Sequence, residues 1–177
     1  MAQPDGNKLI CFGTEDKGDD DICIKFVEAY SPDAHNHLAG LECAPVLRGF
    51  EKITGGWFMV VMDKLPEEFE MLHAHKERLP LSVFDDITAK LGSFHDTGYV
   101  HGDICDTNIM VSKSDEKRFM IIDFDWAGKI GKMKYSACVN RIDIRRPSDV
   151  CDGKRILKDR DVAMLKDMLP LKFEEPC

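Results

Sequence analysis

The segment from Tyr99 to Phe124 constrains the fold more than any other part of the chain. It opens with a loop dense in small and polar residues, Tyr99-Val-His-Gly-Asp-Ile-Cys-Asp-Thr-Asn108. Two short apolar runs follow, Ile109-Met-Val111 and Phe119-Met-Ile-Ile122, separated by a polar stretch from Ser112 to Lys117. Apolar runs of strand length around such a stretch read as a β-hairpin. Asp123 follows the second run directly. Upstream, Phe84, Ile87, Leu91 and Phe94 recur at helical spacing between Ser82 and Thr97, with Ser82 placed to cap the helix and Gly98 to stop it. A helix that feeds a polar loop and then a hairpin excludes both an all-helical and an all-β chain.

The remaining pattern fills in an α+β fold. Leu9-Ile-Cys-Phe12 and Ile22-Cys-Ile-Lys-Phe-Val27 flank an acidic stretch, Glu15 to Asp21, and predict a second hairpin. Pro32 to Leu41 is helical in pattern, and Pro45 ends it by excluding helical geometry from the residue before it. Trp57-Phe-Met-Val-Val-Met62 is continuously apolar, which suits the middle of a sheet, and Asp63 to Pro66 reads as a linker. Val162, Leu165 and Met168 mark a last helix over Asp161 to Leu169.

At 177 residues, with 44% hydrophobic and 32% charged residues, the chain is long and apolar enough for one globular domain. A net charge of −8 argues against nonspecific binding to nucleic acid or anionic lipid. Trp57 to Met62 is too short to span a bilayer, and the N-terminal residues lack the basic and apolar regions of a signal peptide. The expectation is an intracellular, cytoplasmic protein without membrane or nucleic-acid partners. Seven cysteines at irregular spacing, with no Cys-x-x-Cys pair, predict reduced and mostly buried thiols. His35/His37 and His73/His75 lack the partner spacing of a zinc site and are read as non-ligands.

The chemistry lies in an order of residues rather than in any one acid. His-x-Asp, an Asn five residues after the Asp, a hairpin, then Ile-Ile-Asp-Phe is the succession of catalytic and metal loops in a phosphotransferase. Transfer from ATP develops negative charge on phosphate oxygens, so Mg²⁺ must be held by hard oxygen ligands, and Asp123 and Asn108 supply them. A separate carboxylate must accept the proton of the attacking hydroxyl or at least orient it, and Asp103 occupies that place in the pattern.

On these residues the sequence resembles the protein-kinase-like superfamily, and within it the divergent fungal kinase-like domains and the aminoglycoside and choline phosphotransferases. The resemblance runs from about residue 22 to 169 and is strongest over 99 to 128. It rests on Phe94-His-Asp-Thr-Gly-Tyr-Val-His-Gly-Asp103, Asp106-Thr-Asn-Ile109, Ile122-Asp-Phe-Asp-Trp-Ala-Gly128 and a tail from Asn140 to Pro147. It implies a partial two-lobed kinase-like fold in a single domain, truncated at both ends: a small antiparallel β lobe with one helix over 8–63, and a helical lobe carrying the catalytic-loop hairpin over 64–177. The implied activity is transfer of the γ-phosphate of ATP, with Mg²⁺, to a hydroxyl on a protein or small molecule. In it Asp103, Asn108 and Asp123 are catalytic, with Asn108 and Asp123 on the metal. Lys25 would contact the α- and β-phosphates, Met62-Asp63 would lead into the adenine hinge, and a buried Asp161 would brace the catalytic loop, as would His101. Counting back from Ala44-Pro45 puts His35 where most kinases carry the glutamate that partners the lysine, with Asp33 and Glu28 as alternatives.

Four departures stand against that pattern. Gly102 replaces the arginine that usually precedes the catalytic aspartate, Asp125 replaces the glycine of Asp-Phe-Gly, no Ala-Pro-Glu follows, and no G-x-G-x-x-G precedes Lys25. They keep a second expectation in play, a pseudokinase that binds nucleotide weakly and acts through protein contacts.

Overall fold

The computed structural model describes residues 8–16, 20–115, 117–137 and 139–173. β1 (Lys8–Thr14) and β2 (Asp21–Val27) pair antiparallel, from Lys8 opposite Val27 to Thr14 opposite Asp21. Residues 17–19 of the expected turn lie outside the described residues. α1 (Pro32–Gly40) starts on a proline whose fixed φ suits a first helical turn, and the Ser31 hydroxyl accepts from Ala34 N to cap it. β3 (Leu47–Lys52) carries no sequence signal, because its residues are largely exposed and charged at the sheet edge. β4 (Phe58–Asp63) lies between β2 and β3 in the order β1-β2-β4-β3, the interior place its apolar run requires.

The rest of the chain holds β5 (Phe69–Met71), α2 (Leu81–Asp96), β6 (Tyr99–Val100), β7 (Ile109–Ser112), β8 (Phe119–Ile121), β9 (Gly128–Lys129) and α3 (Lys158–Lys172). β7 and β8 form the expected hairpin, and β5, too short to signal itself, adds to its outer side. α2 starts at Leu81 with Pro80 as its cap residue and no side-chain cap bond, so Ser82 does not cap it. The entry is fixed instead by Leu79, whose N–H donates to Lys172 O at 2.9 Å. Gly98 does stop the helix, at φ 86° with its N–H on His95 O. α3 extends past the expected span at both ends and buries Asp161, Met164, Leu165 and Met168, with Val162 only half-buried.

One core joins these parts. Ala34 and Leu38 of α1, Val83, Ile87, Leu91 and Phe94 of α2, Ile109, Val111 and Ile121 of the hairpin, and Leu165 of α3 belong to a single buried cluster. Each large side chain so buried contributes about 1.5–3 kcal/mol. A smaller cluster, Val100, Tyr135, Val139, Val150 and Ile156 with Trp126 against it, gathers the segment between β9 and α3 beside the Tyr99 loop. Five described cysteines are free, as expected, but only Cys43 and Cys105 are buried. Cys11 and Cys23, half-buried, sit in the β1-β2 pair, where Leu9 and Phe12 are exposed. Among the described residues no helix is long and apolar enough to cross a membrane.

Candidate phosphoryl-transfer site

Alternation along β2 turns Lys25 and Val27 inward, and Lys25 is 4% exposed. A buried ammonium needs opposite charge. It has two partners: Nζ lies 2.7 Å from Asp123 Oδ1 and 2.6 Å from Asp125 Oδ1. The residue that departs from Asp-Phe-Gly is therefore the second counterion of the lysine. Asp123 itself has φ 71°, a left-handed backbone that is costly for a residue other than glycine. Such outliers persist where the surroundings over-determine them, typically at functional sites. Burial, with the Asp125 and Asp123 carboxylates close by, raises the Tyr30 hydroxyl pKa well above its ordinary range.

The Tyr99–Asn108 loop brings Asp103 and Asn108 together. Asn108 Nδ2 donates to Asp103 Oδ2 at 3.1 Å and to Asp103 O at 3.0 Å, which leaves the amide oxygen as its other polar end. Ile122 N donates to Asn108 O at 3.0 Å, so the start of β7 and the end of β8 fix Asn108 relative to Asp123. On its other side Asp103 meets Arg146, with Nη2 2.7 Å from Oδ1. The contact is an ion pair, since Oδ1 has no aligned hydrogen-bond donor.

Beneath the loop, Asp161 is fully buried in the first turn of α3, where the helix N-terminus favours negative charge. Its carboxylate accepts from His101 N and Gly102 N, each at 2.8 Å, and from His95 Nε2 at 2.9 Å. His101 is also buried, with Nε2 3.1 Å from Ile122 O. Gly102 adopts φ 86°, and a Cβ there would meet Ile156 Cδ1 at 2.9 Å. With that left-handed backbone and Trp126 O at 3.2 Å as well, any side chain at 102, the usual arginine included, would be strained.

The model of the family described as fungal protein kinase matches residues 60–143, just under half of the chain. That span holds Asp103, Asn108 and Asp123, though not Lys25, Arg146 or Asp161. The solved structure of the Cydia pomonella granulovirus kinase PK-1 matches with a TM-score of 0.56 at 17% identity, covering 73% of this chain. This chain has a partial protein-kinase-like fold. It spans 50% of the granulovirus kinase. No curated protein matches it.

Within the kinase-like fold, the partner of Lys25 is not the one expected. His35 is buried with Nε2 2.7 Å from Pro45 O and Nδ1 2.7 Å from Tyr30 OH. A carbonyl only accepts, so Nε2 carries the proton and Nδ1 accepts from the tyrosine. The ring also stacks on Phe124, with centroids 4.5 Å apart. Both nitrogens are thus engaged away from Lys25, and His35 supports Phe124 instead. Neither alternative takes its place: Asp33 accepts from Tyr99 OH, and Glu28 is exposed. Met62 opposes Cys23 and so shares the Lys25 face of the sheet. Asp63 pairs with Arg48, and its N–H donates to Val46 O. Arg146 carried no signal of its own beyond its place in the Asn140 to Pro147 tail.

Burial lowers the His35 pKa to about 4. Between that value and the ordinary 6.5 the unfolded chain binds a proton that the folded chain does not. The stability this neutral ring contributes is therefore complete above about pH 6.5 and is lost as pH falls toward 4, by about 3 kcal/mol at most. Melting temperatures of wild type and His35→Gln measured from pH 7.5 to 4.5 should show the variant losing less on acidification. Parallel curves would contradict it.

Proposed function

We propose that this domain transfers the γ-phosphate of Mg²⁺-bound ATP to a hydroxyl group on a small molecule or a protein. One observation carries the reading: Lys25 of β2 pairs with Asp123 after β8, Asn108 holds Asp103 in the Tyr99–Asn108 loop, and Ile122 N on Asn108 O ties the two pairs together. The Asp123 carboxylate and the Asn108 amide oxygen are hard donors that fit Mg²⁺ and would hold it. When bound, the ion neutralises charge on the β- and γ-phosphate oxygens. Lys25, already inside the site, would exchange its carboxylate contacts for the α- and β-phosphates. Met62, on the same sheet face, would line the adenine side, with Asp63 beginning the connection between the β part over 8–63 and the helical part from 64. The acceptor oxygen attacks the γ-phosphorus, the bond to the β–γ bridging oxygen breaks to leave ADP, and the acceptor proton passes to Asp103.

A second reading, a pseudokinase, draws on the same Lys25 contacts. Two carboxylates already neutralise the lysine, and both must yield before it can serve phosphates. Incubation with ATP labelled in the γ-phosphate separates the two. The phosphotransferase reading expects labelled phosphate released to water, or transferred to an added alcohol, with Mg²⁺ and none with EDTA. Nucleotide binding without any release would instead support the pseudokinase.

A further inference from the structure

The tail from Asn140 to Pro147 reaches the site through Arg146, whose side chain is 1% exposed. Long charged side chains are rarely buried without full partnering. Here each part of the guanidinium is accounted for. Nε donates to Asn140 O at 2.8 Å, Nη1 lies 3.7 Å from Met164 Sδ, and the group stands 5.1 Å from the Trp126 ring centroid. Only Nη2 remains, and it is the atom 2.7 Å from Asp103 Oδ1.

That oxygen needs the contact. Asp103 Oδ1 is buried and has no aligned donor, whereas the side chain as a whole keeps 20% exposure. Its open surface therefore belongs to its other atoms, beside Oδ2, which Asn108 holds. The loop supplies no cation of its own: Gly102 to Asn108 contains neither lysine nor arginine. Cys105 is a buried thiol with its pKa raised to about 11, chiefly by burial, so it is neutral near pH 7. Lys25 is engaged by Asp123 and Asp125.

Resting on the phosphotransferase reading, we propose that Arg146 is a positioning residue for the reaction: it clamps the buried oxygen of Asp103 and so presents the other oxygen to the acceptor hydroxyl. The second small core, with Trp126 packed against Tyr135 and Ile156, would hold the arginine in that register.

The test measures hydrolysis of Mg–ATP with water as acceptor, and the Kd of Mg–ATP by calorimetry, for the whole chain as wild type, Arg146→Met, Arg146→Lys, Asp103→Asn and Asp103→Asn/Arg146→Met. Arg146→Met should leave Kd within about twofold and lower kcat by about 10²-fold, the scale of losing one fixed charged group at a reacting centre. Arg146→Lys should recover at least about tenfold of that loss. The double variant should be no slower than Asp103→Asn alone, because a residue that acts through Asp103 has nothing left to position. If Arg146→Met does not fold, Arg146→Lys carries the test: kcat between wild type and Asp103→Asn at unchanged Kd supports the role, and wild-type kcat overturns it. A wild-type chain that hydrolyses ATP while Arg146→Met keeps its rate overturns this role alone. So does a double variant slowed below Asp103→Asn by the same factor that Arg146→Met costs wild type. A wild-type chain that releases no phosphate overturns the phosphotransferase reading, and this role with it.

Discussion

Asp103→Ala is expected to lower turnover by about 10²- to 10⁴-fold, the range for losing a general base, while the Kd of Mg–ATP changes little. That loss corresponds to about 3–5 kcal/mol of transition-state stabilisation. The split follows from the geometry. Asp103 is held by Asn108 and Arg146, whereas the lysine assigned to the phosphates is held by a different pair of acids, Asp123 and Asp125. Removing the carboxylate also leaves the Arg146 guanidinium buried without its counterion, which costs stability in its own right. Asp103→Asn keeps the side-chain shape and separates the two effects: its rate should fall as far with a smaller drop in melting temperature. Phosphate release measured at saturating Mg–ATP for both variants decides the matter, and wild-type rates would leave Asp103 a structural residue.

Asp161→Ala should give the largest loss of stability of any single change in the site. The carboxylate is fully buried and accepts three hydrogen bonds, two from the backbone of the Tyr99–Asn108 loop at His101 and Gly102 and one from His95. Alanine would strand all three donors in the interior, at about 1–3 kcal/mol for each left without a partner. Part of that would be relieved by water entering the space, so a net loss of about 3–5 kcal/mol is expected. For a chain of this size it lowers the melting temperature by roughly 10 °C. Asp161→Asn, which retains one acceptor oxygen, should fall between. A melting temperature within a degree or two of wild type for Asp161→Ala would contradict the bracing role.

Much of this arrangement is legible in the sequence because short-range spacing writes it. The α2 stripe, Gly98, the β7-β8 hairpin and the order Asp103, Asn108, Asp123 all depend on residues near one another in the chain, and local periodicity and turn chemistry report them. The fully buried Asp161 also falls where the family pattern puts it. What escaped depends on distance. β3 forms because β4 offers it an edge, not because Leu47–Lys52 is apolar. Counting along a helix to His35 fixes neither the helix rotation nor the competing acceptor at Pro45. The two true partners of Lys25 lie about a hundred residues downstream. Arg146 reaches Asp103 only because the second small core folds its segment back over the loop. Ion pairs between remote segments leave no periodic trace, so neither contact could be read from pattern alone.

Lys25, Asn108 and Asp123 are proposed to make one metal-assisted nucleotide site. Thermal melting of the whole chain with ATP plus Mg²⁺, ATP plus EDTA, and Mg²⁺ alone tests it most directly, because a ligand that binds only the folded state stabilises it by mass action. A clear rise in melting temperature is expected with ATP plus Mg²⁺, little or none in the other two, and loss of the rise in Asp123→Asn. Equal melting temperatures under all three conditions, or an unchanged nucleotide response in Asp123→Asn, would contradict it.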